Sequence, residues 1–411
     1  MIAKVKGTQD FLDLDLYNFA LNIIRKHLVQ ANFTEVNTPV LEPTELYQRS
    51  LGIQTDVVKK EMYTFGDDNE LCLRPEITAS IVRAFCENNI QQIPWKVFEF
   101  GTCFRHERPQ KGRFREFHQV SIEIIGAASI AQDAFLIRTL DTLFHQQFKL
   151  NSYALQLNYL GTIEDRIKNR NALVDFLKKN TSSLCKTCQE RTDTNPLRVF
   201  DCKSEECQKI YQDAPKITDF LSAASQKEWL TLKKLLDLLS VTYTENPKLV
   251  RGLDYYNKTV FEFVSLSLGA QNTFCGGGRY DSLVKEIGGK DDQGCIGAAI
   301  GLERLLMLLE PLRTQLPLPQ QQPLTAVIPI DATQQALALL IADNLLAQGK
   351  CVDLLLDDAS IKSKMRKANK MGAHWAVILG PEELEQKRAV LKNMTTGQEK
   401  TVAQIDLAKE I

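Results

Sequence analysis

The sequence predicts an α+β chain built in parts: a mixed core of strands and helices, a helical insertion within it, and a compact α/β tail. Three observations carry this. Two runs rich in β-branched and aromatic residues, Trp95–Thr102 (WKVFEFGT) and Phe117–Ile125 (FHQVSIEII), flank a basic loop and read as the arms of a hairpin. From about residue 160 to about 240 the texture turns charged and helical, with four close cysteines and no strong strand signal. Residues 311–323, PLRTQLPLPQQQP, hold four prolines and read as a stiff linker ahead of the tail.

The elements follow in order. Leu16–Gln30 repeats apolar residues at helical spacing, then meets a strand running into a Pro-marked turn, NFTEVNTPVLEP. Arg74–Glu87 opens with RPEIT and continues as a helix, Pro75 lying near its first turn. After the insertion, strand signals return at Thr259–Leu266. A glycine-dense turn, GGGRYD, and an apolar helix over Gly301–Leu309 follow. In the tail, Thr325–Ile330 and Cys351–Leu356 read as strands around a helix near Thr333–Ala347. A basic helix over Ile361–Met371 and a strand over His374–Leu379 complete it.

With 411 residues the chain can bury a large core, and its net charge of −1 excludes a uniformly basic nucleic-acid binder. RNA contact must come from local patches. The start, MIAKVKGTQDF, lacks an apolar signal segment, and no run of about 18 apolar residues occurs, so a cytoplasmic protein without a membrane span is expected. Most of the ten cysteines stand singly in apolar runs, as reduced thiols do. Cys185, Cys188, Cys202 and Cys207 are the exception, spaced C-x2-C-x13-C-x4-C. That lies within the range of four-thiolate zinc sites. With one tight pair and no histidine nearby, the spacing weighs towards reduced surface thiols rather than zinc.

The hairpin loop carries the chemistry. Within Phe104–Gln119 (FRHERPQKGRFREFHQ) five Arg/Lys and two His fall in sixteen positions. Guanidinium groups grip phosphate with paired, fixed donors, so such a loop can hold a polyanion. A charge run taken alone is more often a solvated turn. The second strand shifts that balance, because Phe117, Gln119, Ser121 and Glu123 share one face by period two. A nucleotide site beside a small polar pocket is the reading. In GLERLLMLLE, Arg304 on an apolar helix must either pair with a carboxylate or face an anionic ligand. LVRGLDYYNKTVFEF places Arg251, Asp254, Tyr255 and Tyr256 in a turn entering a strand, one of the tyrosines being core. The GGGRYD run adds Tyr280 and fits neither a P-loop nor a dinucleotide fingerprint.

Together these segments resemble the histidyl-tRNA synthetases of the bacterial type. NTPVLEPTEL looks like class II motif 1, FRHERPQKGRFREFHQ like motif 2 and GLERLL like motif 3, while RGLDYY and GGGRYD look like the two signatures of the histidine enzyme. KGTQD stands where the family usually has KGTRD, and Ile77 fills a position that is often glycine in RPEGT. The resemblance implies an α+β catalytic core with an antiparallel sheet flanked by helices, over residues 1–160 and 241–310. It also implies a helical insertion over 161–240, a linker over 311–323, a C-terminal α/β anticodon-binding domain over 324–411 and a homodimer. It implies two steps: ATP and L-histidine form histidyl-adenylate and pyrophosphate, then histidine passes to its tRNA.

By that similarity Arg105 and Arg251 hold the α-phosphate and the attacking carboxylate. Arg113 and Arg304 bind the outer phosphates, with adenine between Arg304 and Phe117. Glu123, Tyr256 and the neighbouring Tyr255 and Tyr280 read the imidazole, while Glu76, Thr78 and Gln119 take the α-amino group. Mg²⁺ accompanies ATP, with no organic cofactor. Lys362, Lys364, Arg366, Lys367 and Lys370 are the expected tRNA contacts. The rivals are a catalytically dead relative that regulates histidine synthesis, which lacks the tail and several of these arginines, and an RNA-binding protein on the same scaffold. The first is disfavoured, since all four arginines and about 90 residues of tail are present.

Overall fold

The computed structural model describes residues 2–53, 55–194, 196–202, 204–269, 271–320 and 322–411. They divide into two compact units, residues 1–318 and 319–411.

In the first unit, helix α1 (Asp15–Gln30) buries Leu16, Phe19, Ala20, Ile24 and Leu28 along one stripe. Short strands β1 (Thr34–Glu35) and β2 (Leu41–Pro43) lead to α2 (Thr44–Leu51), β3 (Tyr63–Phe65) and β4 (Leu71–Leu73). Helix α3 spans Thr78–Glu87. It starts four residues later than the sequence suggests, for two reasons. The buried Arg74 leaves for an ion pair with Glu99 at 2.6 Å. The Glu76 carboxylate accepts from the N–H groups of Thr78 and Ala79, both at 2.8 Å, and so caps the helix.

The hairpin arms are β5 (Trp95–Phe104) and β6 (Glu116–Ile125), antiparallel with Glu123 opposite Val97 and Gln119 opposite Gly101. Helix α4 (Ala131–Thr142) and strand β7 (Ala154–Tyr159) follow. The insertion contributes α5 (Ile163–Lys179), α6 (Lys186–Thr194), α7 (Glu205–Ile210) and α8 (Ala223–Leu238). The first three enclose a small core of their own around Leu173, Leu177, Val199 and Tyr211. Helix α8 instead sends Trp229, Leu232 and Leu236 into the large core under the sheet.

The chain then returns through β8 (Thr244–Glu245), β9 (Asn257–Val264), β10 (Thr273–Arg279), α9 (Leu283–Ile287), β11 (Cys295–Gly301) and α10 (Leu302–Leu309). The eight-stranded sheet runs β1-β5-β6-β11-β10-β9-β7-β8. Its six central strands are antiparallel, and only the short edge pairs β1/β5 and β7/β8 are parallel. Strand β10 corrects the sequence reading, which made the glycine run a turn. A Cβ at Gly277 would lie 2.8 Å from Ala298 Cα, so the glycines let β10 pack closely within the sheet. One face of β6, with Val120, Ile122 and Ile124, packs into the core shared with α1 and α4. The other face carries the polar set.

Leu312, Leu316 and Leu318 pack on this same core, so the first part of the proline-rich segment is docked. Residue 321 of the expected linker lies outside the described residues. The second unit has β12 (Leu324–Pro329), α11 (Gln335–Ala347), β13 (Cys351–Leu354), α12 (Ile361–Lys370), β14 (Trp375–Leu379), α13 (Pro381–Gln386), β15 (Arg388–Asn393), β16 (Glu399–Ala403) and α14 (Leu407–Glu410). Its sheet runs β13-β12-β14-β15-β16, parallel on the β13-β12-β14 side and antiparallel beyond. Apolar clusters cover both faces. No described helix is long and apolar enough to cross a membrane.

Candidate active site

A cavity of about 750 Å³ opens on the polar face of β6, β9, β10 and β11. The loop 105–114, the turn 251–256 and part of the insertion complete its walls. Arg105, Arg113, Arg251 and Arg304, far apart in sequence, all face into it.

Each guanidinium is fixed by the fold. Arg105 donates Nε–H to the Pro75 carbonyl at 2.9 Å and lies 5.3 Å above the Phe117 ring. Arg113 pairs with Glu107. Arg251 pairs with Glu262 and lies 5.5 Å over the Tyr256 ring, and its buried Nε has no hydrogen-bond partner among the described residues. Arg304 donates to the carbonyls of Gly112 at 2.8 Å and Thr273 at 2.5 Å. It therefore does not take the first of the two alternatives for an arginine on an apolar helix, a paired carboxylate. Backbone carbonyls hold it, and none of its described hydrogen bonds reaches a carboxylate.

The crowding has an electrostatic cost. Burial, then the positive charges of Arg113 and Arg105, pull Arg304 down to about 10. Burial also lowers Arg113, with Arg105 adding repulsion. Burial opposes the charge on Arg251 too, but the Glu262 carboxylate together with Tyr256 and Tyr255 more than offsets it and the group is raised. The cluster gathers four positive charges on one cavity.

Besides the arginines, the cavity is lined by Glu76, Thr78, Gln119, Tyr255 and Tyr256, which form its small polar and aromatic pocket. The Tyr255 ring stands 4.5 Å from Tyr256 and 5.8 Å from Tyr280. Glu123 and Tyr280 are fully buried and absent from the residues lining the cavity, forming the layer behind it. The Glu123 carboxylate accepts from Thr78 Oγ1 at 2.7 Å, Ser121 Oγ at 2.7 Å and the Tyr280 hydroxyl at 2.5 Å. Burial pushes its carboxyl up to about 7 against those three hydrogen bonds. A Cβ on Gly297, opposite Glu123 in β11, would overlap this carboxylate. Burial likewise raises Glu76.

Several participants were absent from the sequence reading. Glu262 and Glu107 hold the arginines, and Glu303 accepts from His118 N at 2.9 Å and pairs with its Nδ1 at 2.8 Å. Arg191, Arg198 and Phe200 of the insertion line the cavity. Arg198 pairs with Asp56 and donates to the Gly252 carbonyl at 2.8 Å. Only Glu262 had a signal available, as a charge on a strand of otherwise core residues.

In the second unit, Lys362, Arg366, Lys367 and Lys370 are exposed on α12. Lys364 departs from the expected RNA-facing set. It is 2 % exposed and donates Nζ–H to the Pro329 carbonyl at 2.8 Å, because α12 turns that side towards the end of β12. Lys362 and Arg366 border a groove with Met365, Ile378 and Met394.

Comparison with known proteins places these features. The family described as histidyl-tRNA synthetase matches residues 21–305, and the anticodon binding domain matches 325–411. The histidine–tRNA ligase of Nitratidesulfovibrio vulgaris strain DP4 is 40% identical over 417 residues, covering 100% of this chain and 98% of its own. That of Caldanaerobacter subterraneus is 39% identical over 418 residues and the full length of both. The crystal structure of apo histidyl-tRNA synthetase from S. aureus is 31% identical, with a TM-score of 0.80 over 100% of this chain and 99% of that one.

Proposed function

The chain belongs to the histidyl-tRNA synthetase family, and on that premise we propose that the arginine-lined cavity is where histidine and ATP react. The protein is a histidine–tRNA ligase: it joins histidine to AMP with release of pyrophosphate, then transfers histidine to the 3′ end of its tRNA. The observation that carries the site assignment is the convergence of four arginines on one cavity that continues into the Glu76–Tyr256 pocket.

The first step attacks a crowded, highly charged phosphorus, so positioning and fixed positive charge supply most of the catalysis. Arg251 and Arg105 hold the α-phosphate and the histidine carboxylate. Arg113 and Arg304 take the outer phosphates, whose charge relieves their mutual repulsion. Adenine packs against Phe117. Mg²⁺ keeps most of its waters and asks for few carboxylates, which suits the oxygen donors of Glu61 and Glu262 on the cavity wall. Bound there with pyrophosphate oxygens, it would screen their charge.

Glu76, Thr78 and Gln119 take the α-amino group. Tyr255 and Tyr256 border the imidazole, with Glu123 and Tyr280 setting the polarity of that wall from behind. A site built on hydrogen bonds to both ring nitrogens rejects substrates that leave those groups unpaired.

Exposed Lys362, Arg366, Lys367 and Lys370 supply phosphate contacts beside the groove on α12, where anticodon bases find apolar and polar edges. We assign residues 1–160 and 241–310 to catalysis, with α8 and Leu312–Leu318 packed on that core, the rest of 161–240 to the insertion, 319–323 to the linker and 324–411 to the anticodon. A homodimer is supported by Val40 and Leu41 of motif 1, exposed in the single chain. The cytoplasm is the compartment where this substrate set meets. The test is histidine-dependent exchange of pyrophosphate into ATP, followed by charging of histidine tRNA. Exchange without dependence on histidine would refute the pocket assignment, and absence of both activities in folded protein would leave a binding role.

A further inference from the structure

The four cysteines of the insertion are scattered over 23 residues of sequence, yet their sulfurs all lie within 4.8 Å of one another. Cys188 and Cys207 are fully buried and Cys185 and Cys202 partly so, which departs from the surface thiols that the spacing favoured. Cys185 Sγ and Cys202 Sγ are 3.8 Å apart, too far for a disulfide, and all four residues are free thiols. A tetrahedron with metal–sulfur bonds of about 2.3 Å has edges of roughly 3.8 Å, so one ion fits between them. Two further contacts suit bound thiolates. The Cys185 N–H donates to Cys207 Sγ at 3.3 Å, and the Ser204 N–H donates to Cys202 Sγ at 3.4 Å. The buried Tyr211 hydroxyl has no hydrogen-bond partner among the described residues.

We propose that Cys185, Cys188, Cys202 and Cys207 bind one structural Zn²⁺, and that this ion fixes the segment 196–202 as a wall of the catalytic cavity. Four thiols each release a proton to solvent as they bind, giving a closed site with net charge −2 and no open coordination position. The segment it anchors carries Arg198, which reaches Asp56 and the Gly252 carbonyl beside Arg251. Arg191 donates to the Arg198 carbonyl at 2.8 Å and ties α6, which carries Cys188, to the same wall. The core here is small, the situation in which a metal adds to limited buried area.

The test is metal analysis of the full chain, purified without chelator and with reducing agent. About one zinc per chain is expected, falling to near zero in Cys202→Ser and Cys185→Ser. Those two positions are partly exposed, so the variants should still fold. Hydrogen exchange should then accelerate across residues 196–202 while β5 and β6 stay protected. Replacement by Co²⁺ should give thiolate-to-metal absorption that both variants lose. Metal-free protein that is folded and protected at 196–202 would overturn the proposal. So would iron in place of zinc, a disulfide found by mass spectrometry, or undiminished zinc in both variants.

Discussion

Replacing Arg251 by alanine tests the proposed chemistry most directly. The guanidinium has three neighbours: Glu262 in an ion pair, the Tyr256 ring 5.5 Å below, and Gly276, whose absent Cβ would sit 2.5 Å from it. Truncation leaves Glu262 without its cation. That carboxylate keeps the Thr273 hydroxyl at 2.8 Å and is 18% exposed, so water can reach it. The unpaired acid therefore costs about 1–3 kcal/mol of stability at most. The catalytic loss is larger. Removing one fixed donor from a centre where charge develops costs on the order of 10²–10³ in rate, or roughly 2.7–4 kcal/mol. ATP should still bind, because Arg105, Arg113 and Arg304 keep their own supports. The assays are pyrophosphate exchange for chemistry, equilibrium ATP binding for the ground state and thermal melting for the fold. The double variant Arg251→Ala/Glu262→Gln separates the two costs, since it removes the stranded charge without restoring the donor. Melting should recover and exchange should not. Near wild-type exchange in the single variant, or recovery of exchange in the double one, would refute the reasoning.

Glu123→Gln should raise KM for histidine far more than KM for ATP, and equal changes would mean that the carboxylate only supports its strand. The same variant has a pH signature. A carboxyl raised from 4.5 to about 7 on folding holds its proton more tightly when folded. Its stabilising contribution is therefore present in full below pH 4.5 and lost as pH rises towards 7, about 3 kcal/mol over the window. Glu123→Gln should flatten stability against pH there, and an unchanged slope would exclude that carboxyl as its source. Gly297→Ala forces a methyl onto the Glu123 carboxylate and should cost about 1–3 kcal/mol while weakening histidine binding, as melting and KM would show. Neutralising Lys362, Arg366 and Lys367 should weaken tRNA binding and flatten its salt dependence with exchange unaffected. Removing 324–411 should cripple charging and spare exchange, and full-rate charging by the truncated protein would end the anticodon assignment.

What the sequence displayed was whatever repeats locally. The hairpin 95–125 announced itself because β6 alternates from Gln119 to Ile124, Val120, Ile122 and Ile124 inward and Gln119, Ser121 and Glu123 on the site's side. The motif arginines were visible as charges in apolar or glycine-rich settings. Strand β10 was not, because a run of glycines has no alternation to detect. Helix α8 looked like part of the insertion, since periodicity reveals an apolar stripe but not the core that receives it. Lys364 was read with its charged neighbours, although one turn of helix separates outward from inward. Arg198 joins the cavity through contacts 142 and 54 positions away along the chain, and nothing local encodes them. Ile77 is the informative departure from RPEGT. It is buried in an apolar cluster with Tyr47, Ile81 and Val97 and lies close beneath Gly101, so an apolar side chain there is part of the packing.

The order of strands in the sheet also sets a timetable for synthesis. β6 pairs on one side with β5, its neighbour in the chain, and on the other with β11, which begins at Cys295. Cys295 lies 170 residues beyond Ile125. At about 5–20 residues per second, β6 waits roughly 10–35 s on the ribosome with one edge unpaired. In that interval Val120, Ile122 and Ile124 lack the partners that α10 and β11 later provide, whereas α5–α7 can close on their own contacts as they emerge. The nascent chain thus presents an open hydrophobic strand edge beside a finished helical knot, a form that invites chaperone capture and pairing between neighbouring chains on a polysome.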